Sequence, residues 1–220
     1  MTVYIKNYTE PEFNLKEALR YAGVHTADKD MESFVSDTFS KVRDKLIYKI
    51  CYCETDVSIR GNTVDFGMFE TESKNLSYTL KDAKKAIIFC ATIGLNMDRE
   101  IAKNIKISPP KGVILQAIGT ERCESLCDVF TDEIKKQYKD SGIFVTPRFS
   151  PGYGDLNINV QRDIFTHLDL SRKIGVTLNE SLIISPSKSV TAIIGLSDTN
   201  CGYYQNKCKG CNMKECTFRQ

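Results

Sequence analysis

The stretch from Ser108 to Tyr138 constrains this chain most. Val113, Ile114, Ala117, Ile118, Leu126, Val129, Phe130 and Ile134 recur at helical spacing along it, which marks one buried face. Pro109 and Pro110 sit at its start, where a missing N–H has no helical partner to lose. The spacing therefore predicts one long helix, and a helix of that length needs a broad apolar surface to lie against.

The sequence offers that surface as strands. Lys85 to Thr92 is an unbroken apolar run that ends before Gly94, so it reads as a central strand buried on both faces. Lys49 to Cys53 alternates in part. Val57–Ile59 and Thr63–Phe66 flank Arg60-Gly61-Asn62, a hairpin around a glycine turn. Phe144-Val145 follows the long helix, and Leu182–Ile184 and Ser189–Leu196 read as later strands. Shorter helices are expected from Asn14, a cap with Glu17 at the capping-box position and Gly23 past the end, and from Asp28 or Asp30. The second carries Met31, Phe34, Val35, Phe39, Val42 and Leu46 on one face. A last short helix is expected near Val160 to Leu168.

Helices and strands mix without strict alternation, and no G-x-G-x-x-G or P-loop is present. The expected class is α+β: a single compact domain with a mixed or antiparallel twisted sheet flanked by helices. Residues 1–200 form the body and 201–220 a cysteine-rich tail.

Charge and hydropathy exclude some functions. Thirty Lys and Arg against 28 Asp and Glu leave +2, too little for a broad field that grips nucleic acid or anionic lipid. The longest apolar stretch, Ala86 to Leu95, is far short of the roughly 20 residues a membrane helix needs. Lys6 and Glu10 stand where a signal peptide would be apolar. The expectation is a cytoplasmic protein that binds neither nucleic acid nor membrane.

Four of the nine cysteines, Cys201, Cys208, Cys211 and Cys216, crowd the last 20 residues. In a reducing compartment this favours metal or redox chemistry over disulfides. Four thiolates suit tetrahedral zinc or an iron–sulfur cluster, although the spacing matches neither a zinc ribbon nor a bacterial ferredoxin. Unligated thiols are the alternative. Cys51 and Cys53 share one strand face, Cys90 ends the apolar run, and Cys123 and Cys127 lie one helical turn apart; all five read as core packing. His25 and His167 read as structural or surface groups.

The segment Arg148-Phe149-Ser150-Pro151-Gly152-Tyr153-Gly154-Asp155 combines a carboxylate-binding guanidinium, a Pro-Gly turn and an aromatic face. It reads as a plain surface turn or as a loop for a small zwitterionic ligand. It resembles the R-x-x-P-G-Y signature of the activation domain of cobalamin-dependent methionine synthase. Gly175-Val176-Thr177-Leu178-Asn179-Glu180-Ser181 resembles that family's G-x-x-L-T-E-S, and Pro186-Ser187-Lys188-Ser189-Val190-Thr191 its P-x-x-S-V-S. The likeness runs over about residues 85 to 204.

The resemblance implies S-adenosylmethionine (SAM) binding. Arg148 would hold the SAM carboxylate, Ser150 and Gly152 would line the ligand, and Tyr153 would close the loop. Glu124 would be an acidic contact from the long helix, and Tyr203 or Tyr204 a tyrosine after the last strand. No catalytic residue is implied, because an activation domain positions SAM against a corrinoid while an electron arrives. The implied partner is a cobalamin-binding methionine synthase that lacks its own activation domain, with an electron donor such as flavodoxin or ferredoxin. Two other readings stay open: a corrinoid-protein chaperone or regulator without SAM, and an iron–sulfur electron donor to a corrinoid protein.

Overall fold

The computed structural model describes residues 2–24 and 26–199. A five-stranded antiparallel sheet runs in the order β1-β2-β6-β10-β7, built from β1 (Val3–Tyr8), β2 (Tyr48–Asp56), β6 (Ala83–Thr92), β10 (Ser189–Ser197) and β7 (Phe144–Val145). The expected α+β class and flanking helices are found, and every pairing in the sheet is antiparallel. β6 is central as its apolar run predicts, and its last seven residues are buried.

The side chains of β6 alternate between two apolar layers. Ile87, Phe89 and Ala91 join one cluster with Ile118, Leu126 and Phe130 of the long helix α5 (Pro109–Lys139). Ala86, Ile88 and Cys90 join another on the opposite face, with α3 (Lys74–Leu80), α6 (Val160–Leu168) and α7 (Leu170–Ile174). A three-stranded ribbon of β3 (Ser58–Arg60), β4 (Thr63–Asp65) and β5 (Glu70–Glu72) contains the expected hairpin, with Gly61 at φ +64°.

Local chemistry sets the helix ends. Asn14 accepts from Glu17 N and starts α1 (Leu15–Tyr21); Asp28 accepts from Met31 N and starts α2 (Lys29–Ser40). Val42 and Leu46 are buried but lie beyond α2, at the entry and exit of a 3₁₀ turn over Arg43–Lys45. The expected strand over Leu182–Ile184 is mostly a turn. Leu182 takes φ +61°, and only Ile184-Ser185 pairs, as β9, with β8 (Thr177–Leu178). α4 (Leu95–Ile107) precedes α5 and packs beside it, burying Met97 and Ile101.

A buried ion pair fixes the roll of α5. Glu121 and Arg122 are 1% and 0% exposed. Arg122 Nε and Nη2 each donate to the Glu121 carboxylate at 2.6 Å. Its Nη1 and Nη2 also donate to the carbonyls of Pro11 and Glu12 at 2.6 Å, and Glu121 accepts from Asn14 N. The guanidinium lies over the rings of Phe13 and Phe39 at 5.0 and 5.2 Å, a cation–π arrangement. One residue pair thus ties the segment entering α1 to the middle of α5.

Removing one member of such a pair leaves the other charge buried and unpaired. Arg122→Met is expected to lower unfolding stability by about 3–5 kcal/mol, read from the urea midpoint. Adding Glu121→Leu should recover part of that loss.

Candidate functional site

Glu121 and Arg122 face inward, which turns the next ridge of α5 outward. Thr120, Glu124 and Asp128 follow at four-residue spacing on a partly exposed face, one i±4 row of a helix. Arg148 reaches this row from the loop after β7. Its Nη2 donates to Glu124 Oε2 at 3.0 Å and to Asp128 Oδ1 at 2.8 Å. The Arg148 side chain is 20% exposed, Glu124 38% and Asp128 66%, so the outer carboxylate is the one open to exchange. Burial works against the charge on Arg148, but the Glu124 and Asp128 carboxylates oppose that and favour the guanidinium cation.

Two sequence-predicted residues, Arg148 and Glu124, therefore meet directly. Asp128 joins them, and its signal was legible as an acidic residue one turn beyond Glu124. Tyr21, at the end of α1, lies near enough that the Glu124 charge adds to burial in raising its phenol. One guanidinium between two carboxylates leaves a net −1 at this end of the ridge. Both carboxylates meet the same nitrogen, so neither makes the side-on, two-point contact of which an arginine is capable.

The loop beyond Arg148 is tied to the sheet and to α3. Phe149 and Ile193 exchange backbone bonds of 2.9 and 2.8 Å. Tyr153 N donates to Ser150 O at 3.1 Å, and Gly152 N to Leu156 O at 2.9 Å. Gly152 has φ +88°, a conformation natural to glycine. The bonds of Ser150 O and Gly152 N close the turn itself. Tyr153 stands at the tip, 71% exposed. Gly154 passes α3 so closely that a Cβ there would lie 2.4 Å from Asn75 Nδ2. Asp155 then accepts from Ser73 Oγ at 2.5 Å, Lys74 N at 2.8 Å and Asn75 N at 3.2 Å, so the loop's last residue also caps α3.

The five described cysteines are buried, as core packing requires. Burial pushes the Cys51 and Cys53 thiols up to about 11. A hydrogen bond with Cys127, then burial, raises Cys123 well above its ordinary value. These are packing groups rather than thiolate nucleophiles. Among the described residues, no group of three or more His, Cys, Asp and Glu could hold a metal ion. Cys201, Cys208, Cys211, Cys216, Tyr203, Tyr204 and His25 lie outside the described residues. His167 stacks near Phe69 at 5.9 Å, a packing role. No described helix is long and apolar enough to cross a membrane. Two surface grooves, of about 340 and 420 Å³, lie at the C-terminal end of α5 and beside the β1–β2 edge, away from Arg148.

No family model matches the sequence, and no curated protein matches it. Among solved structures, the chain is similar to the MetH reactivation domain bound to AdoHcy. The TM-score is 0.64 at 13% identity, over 91% of this chain and 80% of that one. The chain therefore has the fold of that reactivation domain.

The Asp155 carboxylate gives a pH-dependent test of the loop's anchorage. Burial alone would raise its pKa, but bonds from Ser73 and the α3 amides outweigh this and hold it below the ordinary aspartate value. A lowered folded pKa stabilises the fold above the unfolded value of about 3.9 and ceases to as pH falls through the folded one. Asp155→Asn is expected to cost about 1 kcal/mol at pH 7, in the range of a helix cap. The gap from wild type should narrow as pH falls below the unfolded value and through the folded one, as followed by chemical denaturation across pH.

Proposed function

We propose that this chain binds SAM on the α5 ridge and supports reductive methylation of the cobalamin of a partner methionine synthase. The observation that carries the reading is the Arg148–Glu124–Asp128 cluster. It lies beside the P-G-Y turn, in a fold shared with a domain solved with AdoHcy (S-adenosylhomocysteine). An amino-acid ligand brings one carboxylate and one ammonium. Arg148 can take the first by two parallel N–H···O bonds, and the carboxylate it releases, Asp128 or Glu124, can take the second.

The sulfonium adds a positive charge that suits a site carrying net −1. SAM brings one negative and two positive charges, so the occupied amino-acid end would be neutral. Its methyl group is the chemistry the ligand supplies, and an external one-electron donor of flavodoxin or ferredoxin type supplies the reduction. The protein's part is placement: the guanidinium is fixed by α5, and the turn at Pro151-Gly152 is fixed by β10 and α3. Holding a reactive group in line with its target accounts for much of the rate in such reactions. No proton transfer is required of this chain. The corrinoid would be presented to the exposed Tyr153 end of the loop.

Calorimetry of the full chain with S-adenosylhomocysteine tests the reading. Wild type should bind. Arg148→Ala should weaken binding by about 1.5–3 kcal/mol, the range for a hydrogen-bonded charge, or about 10- to 150-fold in Kd. Absence of heat with wild type at millimolar ligand would contradict it.

A further inference from the structure

At the other end of the Thr120–Glu124–Asp128 ridge stands a second cation. Lys188 Nζ donates to Thr120 Oγ1 at 3.0 Å and forms no ion pair among the described residues. The chain holds this amine in place from several sides. Ser187 is clamped to Asp98 through its N–H at 2.7 Å and its hydroxyl at 2.6 Å. Lys188 O accepts from Ile93 N at 3.2 Å, and Ser189 Oγ donates to Thr92 Oγ1 at 2.8 Å.

Gly119 makes the seat. A Cβ there would lie 3.0 Å from both Cγ and Cε of Lys188, so the missing side chain lets the lysine stem lie flat on α5. The nitrogen is thereby drawn out of water, and burial lowers its pKa against the opposing pull of the Asp98 carboxylate. A desolvated ammonium met by a neutral hydroxyl is under-partnered, and its stem shows that it is not a freely solvated surface lysine.

From Thr120 to Asp128 is eight helical residues, or about 12 Å at 1.5 Å each. The ridge therefore has a guanidinium at one end, an ammonium at the other and carboxylates near the guanidinium. That separation is the span of a small elongated ligand, with its amino-acid group at Arg148 and a hydrogen-bond acceptor at its far end. We propose that Lys188 is a specificity-determining residue that donates to an acceptor on the nucleoside half of the ligand. This rests on the SAM-site reading and extends it from the amino-acid end to the other. Lys188 would distinguish an adenosylated ligand from a free amino acid, whereas Arg148 would hold both.

The test compares wild type, Lys188→Met and Arg148→Ala by calorimetry with S-adenosylhomocysteine, and by NMR titration with methionine as the amino-acid fragment. Methionine preserves the stem's packing on Gly119 and removes the charge; Lys188→Gln serves if that variant melts early. Lys188→Met should weaken the nucleoside ligand about 10-fold or more and leave methionine affinity unchanged. Arg148→Ala should weaken both. The two effects on the nucleoside ligand should multiply in the double variant, as for sites beyond about 10 Å. Unchanged nucleoside affinity in Lys188→Met, or equal loss of methionine affinity, would overturn the role of Lys188 while the SAM site stood. Failure of wild type to bind S-adenosylhomocysteine would remove the site itself.

Discussion

Burial of Glu121 and Arg122 in the middle of α5 is the constraint on which the rest of this molecule turns. Two adjacent charged residues on a helix point about 100° apart, and here both are sequestered. The guanidinium closes on its own neighbour's carboxylate, on two carbonyls of the N-terminal segment and on two phenylalanine rings. This arrangement leaves α5 one permissible roll. With that roll set, Glu124 and Asp128 reach the surface beside Arg148, and α1 is brought close enough for Tyr21 to sense Glu124. A buried ion pair of this kind adds little net stability compared with an apolar pair of similar shape, but a packing that separated its members would leave a buried charge unpaired.

The loop carrying Arg148 is positioned from the other direction. Its start is bonded to β10 and its end caps α3, so it spans the sheet from one layer to the other. Arginine, turn and tyrosine therefore sit on rigid supports although they belong to a loop. The proposed function depends on that placement, since the groups themselves are ordinary: a guanidinium, two carboxylates and a lysine.

Much of this was legible in the sequence, for identifiable reasons. α5 and β6 were found because their signals are long and tertiary packing agrees with the local pattern. α1 and α2 were found from their caps. The elements that escaped notice have weaker signals. β1 is an edge strand with Lys6 inside it and an imperfect alternation of burial. α3 is seven residues long, too short for periodicity to decide. α4 was legible in Met97 and Ile101 at four-residue spacing, but it abuts Pro109 and merges with the helix that follows. Leu182 was misplaced because an apolar residue at positive φ looks like strand in a sequence. At the site, the resemblance names Arg148 and Glu124 as separate ligand contacts, whereas in the structure they pair with each other. Lys188 stood in a quoted motif without a role, because only the missing side chain of Gly119, sixty-nine positions away, makes its amine half-buried.

The central claim is that the guanidinium of Arg148 exchanges an internal carboxylate for that of a ligand. A crystal structure of the chain with S-adenosylhomocysteine measures this most directly. The account predicts the ligand carboxylate on Arg148, its ammonium on Glu124 or Asp128, and its nucleoside lying along α5 toward Lys188. A ligand bound elsewhere, with Arg148 still on both α5 carboxylates, would contradict it.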